Sequence, residues 1–279
     1  MAINYASKYA QKIDEKFSTE ALTDQAVNKD YDFVGVKTVN VYSIPTAQMN
    51  DYSRTGDKRY GTPSELQNTV QELTLSKDRS FTFSIDRGNH DDTQMSSAAG
   101  EALQRQLREV VIPEIDKYRL GKMAATASAN ADITSSNAYD AFLDGTTAMI
   151  NAMVPLEDCN AFVSGDFYKC IKKDSSFVKN GDLSQTMLSK GQVGMVDGVK
   201  IIVVPDSLMP ENVNFIIAAK SATVSPVKLS EYKIHDNPPG INGWLVEGRV
   251  YYDAFILNNK STGIYVHKKA VNTQDTSKG

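Results

Sequence analysis

An α+β fold is what the 279-residue sequence predicts. One long run with helical spacing, from Asp92 to about Ala129, has stretches of strand character both before and after it. The earlier strands flank a charged stretch, and two of the later ones are joined by Asp197-Gly198, a dipeptide suited to a type I′ hairpin turn. At about 150 residues per domain, the chain forms one elaborate domain or two modest ones, with enough length to bury a sizeable core.

From Ile3 to Leu22, the apolar residues Ile3, Tyr9, Ile13 and Phe17 recur mostly at four-residue steps among Lys8, Lys12, Asp14, Glu15 and Lys16. That spacing predicts an amphipathic helix with one apolar stripe. The stripe needs a cover, which its own domain and a neighbouring subunit supply equally well. Val34 to Ile44 reads as a β-branched strand, with Val39 and Val41 on one face and Asn40, Tyr42 and Ile44 on the other, ending at Pro45. The polar stretch Asn50 to Gly61 follows, and alternation returns in Val70 to Leu75 and in Phe81 to Ile85. An isolated hairpin of this kind is marginally stable, so it rests either on its own body or on another chain. Arg54, Asp57, Lys58 and Arg59 at its tip are therefore either a solvated loop or an intersubunit contact.

The central run carries Met95, Ala99, Ala102, Leu103, Leu107, Val110, Val111, Ile115 and Tyr118 at helical spacing, with Asp91, Asp92 or Thr93 available as caps. As one helix it would be about 50 Å long at 1.5 Å per residue. Pro113 predicts a kink or break near Ile112, with continuation from Glu114 to Lys122. Ser135 or Ser136 can cap a second helix that turns Tyr139, Phe142, Leu143, Thr146, Met149, Ile150 and Met153 toward a core and stops before Pro155. Cys159 to Val163 reads as a buried strand, and Ser164 or Asp166 can cap a short helix through Ile171. Lys172 to Ser189 reads as a polar loop. Val193 to Val196 and Val199 to Val204 form the Asp197-Gly198 hairpin. Phe215 to Ala218, Trp244 to Arg249 and Val250 to Leu257 complete the strands, ahead of His267-Lys268-Lys269 and a polar tail.

Composition narrows the function. Hydrophobic residues are 41% and charged ones 23%, with 17 Gly and 9 Pro, which excludes disordered and collagenous polymers. Thirty basic against 34 acidic side chains give a formal charge of −4, so no overall nucleic-acid footprint exists. Cys159 and Cys170, 11 residues apart, match neither a CxxC pair nor a zinc set and read as reduced thiols of a cytosolic protein. Neither a signal peptide nor an apolar run of roughly 18 residues is present. His90, His235 and His267 form no HExxH or HxH pattern, and His90-Asp91-Asp92 reads as a helix cap rather than a metal site. Gly191 to Gly198 has neither GxGxxG nor P-loop spacing. No G-x-S-x-G elbow occurs, and no cysteine has a histidine close by. Paired carboxylates such as Glu211 or Asp253 exist in any acidic protein and carry no signal by themselves. The expectation is a non-enzyme with no cofactor, no catalytic residues and no metal site.

The order of elements, with Gly191-Gln192-Val193-Gly194-Met195-Val196-Asp197-Gly198-Val199-Lys200-Ile201-Ile202-Val203-Val204-Pro205-Asp206 and Glu247-Gly248-Arg249-Val250-Tyr251-Tyr252-Asp253-Ala254-Phe255-Ile256-Leu257, resembles the major capsid proteins of tailed bacteriophages with the Hong Kong 97-type fold. The likeness spans nearly the whole chain. It implies an N-terminal arm over 1–35 and an extended β-hairpin loop over 36–90. It further implies a peripheral domain with the spine helix over 91–134 and 220–279, and an axial domain over 135–219. It also implies pentamers and hexamers in an icosahedral head shell around packaged double-stranded DNA, which an acidic wall would touch only weakly and non-specifically. By the same resemblance the partners are further copies of the chain, a separate scaffolding protein, a portal and a decoration protein, with no membrane. The location is the virion, and the host cytoplasm during assembly. Ile13, Phe17, Arg54, Asp57, Lys58 and Arg59 are then the candidate intersubunit contacts. The loop crosslinking known in some members is not carried over to Lys58 and Asn259. Two other readings are an encapsulin-like compartment shell of the same fold and a small cytosolic α/β enzyme with an unrecognised site.

Overall fold

The computed structural model describes residues 21–31, 37–44, 46–63, 65–66, 68–87, 98–126, 128–174 and 192–270. The expected arm helix with Ile13 and Phe17, the caps at Asp91 to Thr93, His90 and the expected polar loop beyond Asp174 lie outside them; Lys172 and Lys173, expected in that loop, end a helix instead. The described chain is a mixture of helices with several sheets, as the α+β expectation has it.

Strands β1 (Thr38–Ser43) and β2 (Thr69–Thr74) pair antiparallel, Thr38 opposite Thr74 and Ser43 opposite Thr69, and leave residues 44–68 as the loop between them. Strand β3 (Lys77–Asp86) leaves this hairpin and joins a three-stranded antiparallel sheet with β10 (Val227–Asp236) and β11 (Gly243–Tyr252), in the order β10-β11-β3.

The spine comprises α1 (Ala98–Gln106), a π-helical turn (Leu107–Val111) and α2 (Ile112–Ala124). Pro113 has no N–H to give the carbonyl four residues back, and its ring crowds that position. The ladder widens one step earlier, where the Ile112 N–H reaches the Leu107 carbonyl five residues back, so the helix passes the proline without breaking. It ends at Ala124 rather than near Ala129, because Ser128–Asn130 (β4) is a strand. Val110, on the expected apolar stripe, is 46% exposed at the π turn.

Helix α3 (Ala138–Asn151) is capped from a distance. Instead of Ser135 or Ser136, the Asp174 carboxylate accepts the Tyr139 N–H at 3.0 Å. Phe142, Thr146 and Met149 are buried as expected, but Ile150 and Met153 are exposed where the helix runs out. Strand β5 (Cys159–Ser164) is buried throughout, and Ser164 Oγ caps α4 (Gly165–Lys173) by accepting the Phe167 N–H at 3.2 Å. Strands β6 (Gln192–Val196) and β7 (Val199–Val204) meet at Asp197 and Gly198, whose φ angles of 51° and 82° are the two positive values a type I′ turn needs. Strands β8 (Val213–Ala219) and β13 (Ile264–Lys268) complete a six-stranded sheet in the order β4-β13-β8-β5-β7-β6. A two-stranded ribbon joins β9 (Thr223–Val224) to β12 (Phe255–Ile256).

Each main sheet has its own core, and the spine serves both. Leu103, Leu107, Ile112 and Ile115 pack with Tyr232, Val246, Val250 and Tyr252 of the three-stranded sheet. Further along the same helix, Leu120, Met123 and Ala124 join the core of the six-stranded sheet, built around Phe142, Phe162, Phe167 and Phe215. Strands β4 and β13 belong to the six-stranded sheet, although the sequence expectation groups their residues with the spine.

Candidate functional site

The β1–β2 hairpin has two unlike faces. Val39 and Val41 turn inward onto a small core with Leu73, Leu75, Val224 and Leu257. On the other side Tyr42, opposite Val70, is 66% exposed and Val70 54%, and Ile44 beyond them is also exposed. In the loop, Met49, Tyr52, Tyr60 and Leu66 are exposed as well. Scattered apolar residues on a surface are ordinary, but here seven of them stand on one element.

The loop has local order of its own. Tyr52 and Tyr60 meet edge to face with ring centres 5.0 Å apart, and the Ser53 N–H donates to the Arg59 carbonyl at 2.9 Å. Gly56 and Gly61, with φ of 89° and 85°, take the left-handed backbone that other residues avoid. Of the tip residues singled out from sequence, Arg59 folds back so that its Nε donates to the Gly56 carbonyl at 3.2 Å. Arg54, Asp57 and Lys58 are exposed and make no ion pair with another described residue.

What aims the hairpin is a buried carboxylate. Asp253, 2% exposed at the end of β11, accepts the Ser76 N–H and hydroxyl, each at 2.8 Å, just after β2. Its other oxygen accepts the Tyr118 hydroxyl of α2 at 2.7 Å and the Ala254 N–H at 2.8 Å. Burial, and then the Asp253 charge, push the Tyr118 phenol up to about 12, so it stays a donor. Gln71 adds a clamp, its amide nitrogen donating to the Ile256 carbonyl at 2.8 Å and its oxygen accepting the Asn258 N–H at 2.9 Å. The Asn259 amide donates to Ser43 Oγ at 3.4 Å.

A second buried cluster fixes the chain at residues 21–28. Arg119, fully buried in α2, donates from Nη1 to Asp24 Oδ1 at 2.7 Å and to Thr23 Oγ1 at 3.0 Å, and from Nε to Ser225 Oγ at 2.8 Å. Asp116, one turn earlier, accepts the Leu22 N–H at 3.0 Å and the Thr23 hydroxyl. Burial raises the Asp116 carboxyl above its ordinary value, against the pull of Thr23 and Arg119. Ala21 thereby sits in the core of the three-stranded sheet while Ala26 and Val27 sit in that of the six-stranded sheet.

Neither cluster was singled out from sequence. Arg119 lies four residues beyond Ile115, a charge on the buried stripe, and that signal could have found it. Asp253 follows Tyr252 at a strand end and gave none. Among the described residues no group of three His, Cys, Asp or Glu side chains could hold a metal. Burial pushes the Cys159 thiol up to about 11, away from thiolate chemistry. His235 pairs with Glu247 at 3.0 Å, and His267 stacks on Phe215 inside the sheet. No described helix is long and apolar enough to cross a membrane.

A hairpin with an exposed outer face, a helix shared by two cores and a six-stranded sheet together form an arrangement similar to that of solved bacteriophage capsid chains. No family model and no curated protein matches the chain by sequence. Among solved structures it is similar to the head structure of Helicobacter pylori bacteriophage KHP40, at TM-score 0.66 and 10% identity, over 90% of this chain and 91% of that one. The capsid of Ralstonia phage GP4 matches at TM-score 0.64 and 11% identity, over 92% and 91%. A virus-like particle from Pyrococcus furiosus matches at TM-score 0.56 and 12% identity, over 95% and 100%.

Proposed function

We propose that the chain is the major capsid protein of a tailed bacteriophage, of the Hong Kong 97 type, and that it has no enzymatic role. It assembles as pentamers and hexamers into an icosahedral head shell that encloses double-stranded DNA. The observation that carries this reading is the likeness to phage head and capsid structures over about nine-tenths of both chains. The geometry supports it. A closed shell needs surfaces that meet different surfaces on neighbours, and a hairpin anchored at its root but apolar along its outer face supplies one.

In this reading residues 1–35 are the arm and 36–90 the extended loop, with Ile13, Phe17, Arg54, Asp57, Lys58 and Arg59 as intersubunit contacts. The spine with β10 and β11 forms the peripheral domain, to whose sheet the loop's last strand β3 is added, and 135–219 forms the axial domain. Strands β4 and β13, paired into the six-stranded sheet, go with the axial domain. A separate scaffolding protein, a portal and a decoration protein complete the particle, which forms in the host cytoplasm. Co-expression with a candidate scaffold followed by electron microscopy tests the reading. Closed shells support it, and monomers under every assembly condition refute it.

The match to the Pyrococcus virus-like particle over all of that chain favours a second reading, an encapsulin-like compartment shell. Shell contents separate the two, since a single copurifying enzyme without DNA would select the compartment.

A further inference from the structure

Three deeply buried polar atoms have no hydrogen-bond partner among the described residues: Arg119 Nη2, Asn160 Oδ1 and Thr223 Oγ1. Their residues are 0%, 4% and 0% exposed, so bulk solvent does not serve them. Buried polar groups of folded proteins are nearly always paired, with the protein or with an ordered water, and three left over call for a cause.

The neighbours of each atom place all three around the segment 23–28. Arg119 Nη1 reaches Thr23 and Asp24, and its Nε reaches Ser225 Oγ at 2.8 Å, while Nη2 is the third nitrogen of the same planar fork. Asn160, on β5, donates from Nδ2 at 3.3 Å to the carbonyl of Gln25, the residue after Asp24. Thr223, on β9, accepts the Asn28 N–H at its carbonyl at 2.7 Å, and the Ser225 N–H donates to the Asn28 carbonyl at 3.1 Å. Thr223 and Ser225 stand two apart in extended chain ahead of Pro226, so their side chains share a face. Val224 between them turns the other way, into the small core with Leu73, Leu75 and Leu257. The face that carries Thr223 is therefore the one that meets the Arg119 guanidinium.

The three atoms are chemically complementary. Arg119 Nη2 can only donate. Asn160 Oδ1 can only accept, and the Gln25 carbonyl, which requires a donor, fixes which way that amide is turned. The Thr223 hydroxyl does either. A cation would be repelled by the guanidinium, and an anion by Oδ1 and by the Asp24 carboxylate already on the fork. A water accepts from Nη2, donates to Oδ1 and exchanges one more bond with the hydroxyl, a partner set typical of buried water.

We infer that one ordered water binds at this junction, held by Arg119 Nη2, Asn160 Oδ1 and Thr223 Oγ1. It ties α2, β5 and β9 together against the 23–28 segment, whose Ala26 and Val27 belong to the core of the six-stranded sheet. The site lies within one chain, so the inference goes beyond the capsid reading and does not rest on it.

A high-resolution map of the full-length protein tests the site directly and depends on no variant. One water within about 2.7 to 3.2 Å of all three atoms is the expected result. Separate waters on separate atoms, or no density where other buried waters are visible, would overturn the inference. Thr223→Val, which removes the hydroxyl and keeps the shape, adds a readout whose sign decides. Taking a partner from a buried water should lower the Tm by about 2 to 4 °C. A hydroxyl that bonds to nothing is better replaced by a methyl, so a Tm equal to the parent's or above it would also overturn the inference.

Discussion

Replacing Asp253 with alanine should loosen the hairpin at its root. Four donor groups, on three residues, lose their acceptor. The Ala254 N–H is buried and loses its bond outright, at about 1 to 3 kcal/mol. Ser76 is exposed and the Tyr118 hydroxyl half-buried, so both regain part of theirs from water, leaving about 1 kcal/mol between them. The sum, about 2 to 4 kcal/mol, corresponds to a fall in Tm of about 3 to 7 °C for a chain of this size. Asp253→Asn keeps one acceptor oxygen, and the Tyr118 hydroxyl can turn to accept from the new amide, so its loss should be about half as large. Calorimetry gives the order parent, Asn, Ala. Hydrogen exchange should show amides of Thr69–Thr74 opening faster in the alanine variant while those of β5 and β8 keep their protection. A Tm indistinguishable from the parent's, or faster exchange spread evenly over both sheets, would refute the assignment of Asp253 as the hairpin's anchor.

Arg119→Met should cost about 3 kcal/mol, because Asp116 is left as a buried carboxylate without its cation while Asp24 keeps only Lys29, and chemical denaturation measures it. Burial lowers the His267 pKa in the folded protein, so the unfolded chain binds the extra proton first. Stability should therefore be full above about pH 6.5 and fall as the pH drops below it, and His267→Gln should flatten that fall in Tm-versus-pH curves. Gly243→Ala should destabilise by about 3 kcal/mol or more, since its φ is 147° and an added Cβ would lie 2.1 Å from the Ile85 carbonyl oxygen of the paired strand. Gly248→Ala meets the far end of the Phe81 ring instead and should cost less in the same denaturation assay.

Much of the fold was legible where one local rule decides the outcome. Alternation assigned Val39 and Val41 to one face and Tyr42 and Ile44 to the other, and both assignments hold. Asp197-Gly198 specified its turn, and Ser164 its cap. Strand β10 was not legible, because a bulge between Val227 and Leu229 breaks the period of two and charged residues fill the outward positions. The cap of α3 was missed because Asp174 lies 35 residues away in sequence. The π turn was legible only as a disturbance, since Pro113 says that the ladder must change but not how. At the hairpin tip sequence pointed to the charges and not to the exposed apolar residues around them, because exposed apolar side chains show only once the fold is known, while exposed charges contribute at most about 1 kcal/mol each.

Assembly itself decides the matter most directly. Light scattering of the purified full-length protein, with and without a candidate scaffold, followed by negative-stain imaging of every species larger than a hexamer, measures it. Stable pentamers and hexamers, or closed shells with that scaffold, are the expected result. A chain that remains monomeric in every condition would contradict the capsid reading and return the fold to a role outside a shell.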